Sequence, residues 1–123
     1  MQDSGKSNIQ YDLEERTFQF AKKVALFIKE IPKTNSNNEY GIQVIRSSGS
    51  VGANYIEANE SLGKKDFLYR IKISRKESKE SAFWLRLIIE TNIEKSILSE
   101  GETLLDEANQ LKKIFSSILV KSQ

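Results

Sequence analysis

The chain has 123 residues, 38% hydrophobic and 29% charged, with 19 Lys and Arg against 17 Asp and Glu. That is one domain of ordinary size, and a net charge of +2 is too small for nucleic-acid binding to follow from the total alone. Cysteine and histidine are both absent, which excludes disulfides, thiolate nucleophiles, Cys- or His-ligated metal sites and the commonest general base.

The N-terminal stretch MQDSGKSNIQ is polar and lacks a charged-then-apolar leader pattern. No apolar run approaches the roughly 18–20 residues of a membrane span. A cytoplasmic, bacterial-type protein with no membrane partner is expected. Residues 1–10 read as a flexible tail and 11–121 as a single domain. Asp12 offers an N-cap, with Glu15 completing a capping box. The first helix is expected over Leu13 to Ile31. Its apolar face is Leu13, Phe20, Val24, Phe27, Ile28 and Ile31, widened by Phe18, Ala21 and Ala25. Pro32 ends it.

A second helix is expected from Asn38 to Ser61, with Val44, Val51, Tyr55 and Leu62 on one side, Ile45, Gly52 and Ile56 beside them, and Gly63 as the stop. It contains RSSGSVGANYIEAN, Arg46 to Asn59. Glycine in a helix interior costs about 0.5–1 kcal/mol relative to alanine, so this small-residue stretch points to close packing. The third helix is expected from a cap at Asp66 to about Asn92, with Phe67, Ile71, Ser74, Ser78, Leu85, Ile88 and Ile89 inward and Ser81 and Ala82 adjoining. The fourth starts after Ser99, in a capping box with Glu102. Leu104, Ala108, Leu111, Phe115 and Ile118 repeat at helical spacing, flanked by Leu105, Ile114 and Leu119. No strand-like alternation competes. Short connections imply an all-α, antiparallel up-down-up-down four-helix bundle with crossing angles near about 20°.

Three surface patterns bear on function. Arg46, Ser50, Asn54 and Glu57 share about a quarter of the second helix's circumference, which fits a solvated face or a polar seam against another chain. On the third helix, Lys72, Arg75, Lys79 and Arg86, with Lys65 and Lys76 nearby, form the chain's one single-sign stripe. Such a stripe neutralises phosphates without reading sequence, and lysine-rich outer faces are also common where nothing binds. Tyr69, Ile73, Trp84 and Leu87 form a second apolar stripe, apart from the core stripe, of the kind that anchors an interface; the plainer reading is that Trp84 caps the core edge. Glu57/Glu60 and Glu77/Glu80 are each spaced by three. Carboxylate metal bundles need Glu-x-x-His or an equivalent set, so no metal, cofactor or catalytic residue is assigned. Gly49 and Gly52 lie within a helix with no strand before them, which argues against a phosphate loop.

RSSGSVGANYIEAN resembles the Arg-x-x-x-Ser-x-x-x-Asn-x-x-Glu signature of a bacterial four-helix-bundle family named for open reading frames within intervening sequences of 23S ribosomal RNA genes. ISRKESKESAFWLRLI is similar to that family's second block. The likeness runs from Tyr11 to Leu119, and Asn59 departs from it where many relatives carry glycine. The resemblance implies a ring-like homopentamer with no established biochemical role. A related branch holds the accessory protein of diversity-generating retroelements, a basic pentamer that binds nucleic acid and a reverse transcriptase. By residue match, Arg46, Ser50, Asn54, Glu57, Glu77, Glu80 and Trp84 are signature positions, none with a catalytic assignment. The expectation is a non-enzymatic homo-oligomer that binds RNA or DNA through Lys65, Lys72, Arg75, Lys76, Lys79 and Arg86. The alternative is an adaptor ring that recruits a protein such as a reverse transcriptase.

Overall fold

The structure is a computed structural model that describes residues 5–122, with side chains from residue 12 onward. Four helices fill it: α1 (Gly5–Glu30), α2 (Asn35–Asn59), α3 (Lys64–Thr91) and α4 (Lys95–Lys121). Each is far longer than the roughly 12–15 residues at which an isolated helix becomes marginal, and each presents an apolar face to its neighbours. Successive helices are antiparallel and adjacent. α1 touches α2 and α4, α3 touches α2 and α4, and among the described residues no backbone contact crosses either diagonal. In section the four helices stand at the corners of a square, and α1 and α4 make the slightest contact.

The core lies along the bundle axis. Phe20 and Phe115 are its largest fully buried side chains, with Ile71, Leu85, Ile88, Leu104 and Leu111 around them. Burying such a side chain stabilises the fold by about 1.5–3 kcal/mol. On the α1–α2 seam two glycines let backbones approach. A Cβ at Gly52 would lie 2.8 Å from Thr17 Oγ1, and one at Gly41 would lie 2.8 Å from Ile28 Cγ2, both across the α1–α2 seam.

The ends of the helices differ from the sequence reading. α1 begins at Gly5, so Asp12 lies inside it and does not cap it, and residues 5–10 of the expected tail are helical; residues 1–4 lie outside the described residues. α2 starts earlier than Asn38, because the Thr34 hydroxyl accepts a hydrogen bond from the Asn37 backbone N–H at 3.1 Å, a cap worth about 1 kcal/mol. Gly63 does not stop α2, which ends at Asn59; it takes the N-cap position of α3 in an extended conformation, ahead of Asp66. α4 starts at Lys95 after Glu94, not at Ser99. Leu62 therefore falls in a connection and is fully exposed. At the opposite end of the bundle, by the α1–α2 and α3–α4 connections, Asn37 and Asn92 exchange side-chain amide hydrogen bonds of 3.0 and 2.9 Å, tying the two connections together.

Candidate functional site

The α2–α3 seam is built from small polar side chains. Ser47, Ser74, Ser78 and Ser81 are all buried. The Ser47 and Ser81 hydroxyls lie 2.8 Å apart, Ser74 Oγ donates to the Val51 carbonyl at 2.9 Å, and Ser78 Oγ donates to the Ser74 carbonyl at 2.8 Å. Serine is short enough to bring the helices close, and each buried hydroxyl is satisfied by a partner, so the polar seam escapes the cost of unpaired groups. Among the described residues no buried side-chain nitrogen or oxygen lacks a partner.

Outward from that seam the four signature residues separate. Asn54 Nδ2 donates to both the carbonyl and the hydroxyl of Ser50 at 2.9 Å, and Asn54 Oδ1 accepts from Arg70 Nη1 at 2.9 Å. Ser50 and Asn54 thus form part of an intrachain tie from α2 to α3. Arg46 and Glu57 are exposed, and neither forms a salt bridge among the described residues. Arg70, whose guanidinium also lies 5.7 Å from the Tyr69 ring centre, was missed by the sequence reading.

Trp84 is half-buried and packs on the core edge while remaining part of a surface cluster. Its ring stacks on Tyr40 at 6.0 Å and meets the edge of Phe83 at 5.0 Å, and its Nε1 donates to Glu80 Oε2 at 3.1 Å. Tyr69 is exposed, and Ile73 and Leu87 are half-buried. Beside them, burial pushes the Glu77 carboxyl above its ordinary range; repulsion from Glu80 adds to the shift and Lys76 partly offsets it. Among the described residues no three acidic side chains gather into a metal-binding group, so the Glu57/Glu60 and Glu77/Glu80 pairs stay apart.

All six basic candidates, Lys65, Lys72, Arg75, Lys76, Lys79 and Arg86, are exposed on the outer side of α3. Arg86 Nε is held by Glu90 Oε2 at 3.0 Å. The other five form no salt bridge among the described residues. Two further ties escaped the sequence reading. Arg16 makes a bidentate pair with Glu107, at 2.7 and 2.8 Å, linking α1 to α4. Asn59 Nδ2 donates to Glu14 Oε2 at 2.8 Å, linking α2 to α1. Both join residues far apart in the chain, beyond the reach of helical spacing. Among the described residues no helix is long and apolar enough to cross a membrane.

The crystal structure, at 1.70 Å resolution, of a protein with unknown function from the S23 ribosomal protein family of Bacteroides thetaiotaomicron superposes with a TM-score of 0.71 at 26% identity, covering 86% of this chain and 96% of that one. A search of curated proteins finds no match. Residues 10–117, which span all four helices and hold both the serine seam and the exposed α3 face, match the family described as 23S rRNA-intervening sequence protein, and the chain belongs to that family.

Proposed function

We propose that this family member is a non-enzymatic protein that self-associates, with five subunits the expected number, and binds RNA through the outer face of α3. The observation that carries the reading is the row Lys65, Lys72, Arg75, Lys76 and Lys79, exposed on one helix and free of salt bridges among the described residues. Unpaired surface cations condense readily on phosphates, and repetition of the row around an oligomer multiplies the number of simultaneous contacts. The protein's small net charge of +2 then matters less than the gathering of these groups on one face.

Affinity for a structured RNA, measured against salt, tests the reading. Each phosphate neutralised in a single strand contributes about 0.7 to the log–log slope. Replacing Lys72, Arg75 and Lys79 with glutamine should flatten the slope by about 2 per bound subunit while leaving the helical signal intact. Salt-independent binding, or equal slopes for parent and variant, would overturn it.

A second reading rests on the cluster of half-buried Tyr40 and Trp84 with exposed Phe83, since aromatic side chains at a surface anchor protein partners. In it the protein is an adaptor ring that recruits a protein partner such as a reverse transcriptase. Copurification with such an enzyme that survives nuclease and is lost in Trp84→Ala supports this version; loss on nuclease treatment alone returns the case to RNA.

A further inference from the structure

Two adjacent sides of the square bundle carry uncovered apolar side chains. The first side, between α1 and α2, exposes Phe18, Ile42, Ile45 and Ile56, each 45–60% accessible. The second, between α2 and α3, bears Tyr69, Ile73 and Leu87 with the edge of Trp84. We infer that the first side of one copy docks on the second side of the next copy, head to tail, so that α2 of every subunit faces the axis of a closed ring. This rests on the self-association proposed above and adds to it the faces, the register and the helix that lines the hole.

The angle between the two sides favours a ring over a pair. Neighbouring sides of a square section face about 90° apart, whereas a closed ring needs contact directions about 90° apart for four subunits and about 108° for five. Only α2 belongs to both sides, so it must lie where the angle opens, towards the axis. The α1 half of the first side then meets the α3 half of the second.

Charge and height match in that pairing. Gly52 beside Thr17 and Gly41 beside Ile28 fix the α1–α2 register. Ser47 with Ser81, Val51 with Ser74 and Asn54 with Arg70 fix the α2–α3 register. Carried across both seams, Lys22 on α1 stands within about one turn of the height of Glu77 and Glu80 on α3. Phe18 stands level with Ile73 in the same way. Leu87 stands within about one turn of a groove of about 400 Å³ lined by Ala25, Ile28, Pro32, Gly41 and Ile42. Glu77 and Glu80 repel one another, and among the described residues neither has a salt-bridge partner. Lys22 is exposed and equally unpaired among those residues. A neighbouring copy brings the missing cation to the acidic pair, and opposite charges at matched height fix register more than they add affinity.

The natural absence of cysteine makes the contact testable by site-specific cross-linking. Lys22→Cys and Glu80→Cys are placed together in one chain, separately in two, and treated with a short bis-maleimide. The double variant should give a ladder of covalent species ending at the ring's full size. Each single variant should stay uncross-linked, and an equal mixture of the two should stop at dimers. In parallel, Lys22→Glu or Glu80→Lys should lower the light-scattering mass relative to the parent at matched concentration, and the two together should restore it. An assembled protein that gives no ladder overturns the faces while self-association stands. A monomeric mass for the parent at micromolar concentration overturns both. RNA affinity is read separately by its salt slope.

Discussion

The hydroxyl oxygens of Ser47 and Ser81 lie 2.8 Å apart, fully buried between α2 and α3. The pair does two jobs with one geometry: short side chains let the helices close, and each hydroxyl satisfies the other. Ser47 has only a long alternative, the Val44 carbonyl at 3.4 Å. Removing one partner therefore leaves the other nearly unsatisfied, whereas removing both leaves only a small space. Ser81→Ala should cost about 1–2 kcal/mol, and Ser47→Ala combined with it should cost less than the sum, with a coupling of about 1 kcal/mol. Ser81→Leu should be worse than either, because the seam has no room for added methylenes. Urea unfolding of the four variants completes the cycle, and strict additivity would contradict the paired assignment.

Gly49 and Gly52 sit three residues apart in α2 and should respond oppositely to alanine. A Cβ at Gly52 meets Thr17 Oγ1 at 2.8 Å and Thr17 Cβ at 3.1 Å, and the Thr17 hydroxyl is itself fixed by donating to the Glu14 carbonyl at 2.9 Å. Neither can swing aside, so Gly52→Ala should destabilise by about 1–3 kcal/mol. A Cβ at Gly49 meets nothing within 4 Å, and helix propensity alone should make Gly49→Ala stabilise the subunit by about 0.5–1 kcal/mol. Thermal unfolding at high dilution compares them; the same sign for both would show that the seam, and not the single contact, sets the response.

Much of this bundle is legible in the sequence because its core obeys helical spacing. Leu13, Phe20, Val24, Phe27, Val44, Val51, Ile71, Leu85, Leu111 and Phe115 are periodic and buried. Ser74, Ser78 and Ser81 read as inward despite their polarity, because they hold the same period. What periodicity could not distinguish was the edge of each face: Phe18, Ile45 and Ile56 fall next to core positions and are exposed. The helix starts were misplaced because an acid or serine ahead of an apolar run looks like a cap even when the helix has already begun, as at Asp12 and Ser99. Of the candidate surface, the α3 basic row was visible as charge at helical spacing. Arg70, Arg16 and Asn59 were not, since each takes its role from a partner on another helix.

The raised pKa of Glu77 makes a signed prediction. Burial first, and then Glu80, disfavours its charged form, with Lys76 opposing. The folded subunit holds that proton to higher pH than the unfolded chain does. Stability therefore falls as pH rises from the ordinary glutamate range, near about 4.3, through the raised folded value, and the loss is complete above it. Glu77→Gln should melt higher than its parent at pH 7, and the difference should close on acidification. The comparison belongs in a Lys22→Glu background, where no lysine from an adjacent copy compensates the acidic pair. A variant that melts lower at pH 7 would mean that Glu77 gains more from its surroundings than burial takes away.

Arg16 and Glu107 bridge the pair of helices in slightest contact. The Arg16 Nε and Nη2 atoms donate to the two Glu107 oxygens at 2.7 and 2.8 Å, and Nη2 also donates to Gln110 Oε1 at 2.9 Å. Hydrogen bonding to Glu107 holds the guanidinium proton more tightly than usual. Both side chains remain partly open to water, at 37% and 26%, so screening limits the pair to about 0.5–1 kcal/mol despite its bidentate form. The α1 and α4 backbones approach least closely of the neighbouring helices, so its loss should appear first as local opening and only second as global instability. Arg16→Met should shift the global midpoint slightly and speed amide exchange in the facing turns of α1 and α4, while α2 and α3 keep their protection. High salt should narrow the difference from the parent. Uniform loss of protection in all four helices would show instead that the bundle opens as one unit and that this bridge has no local role.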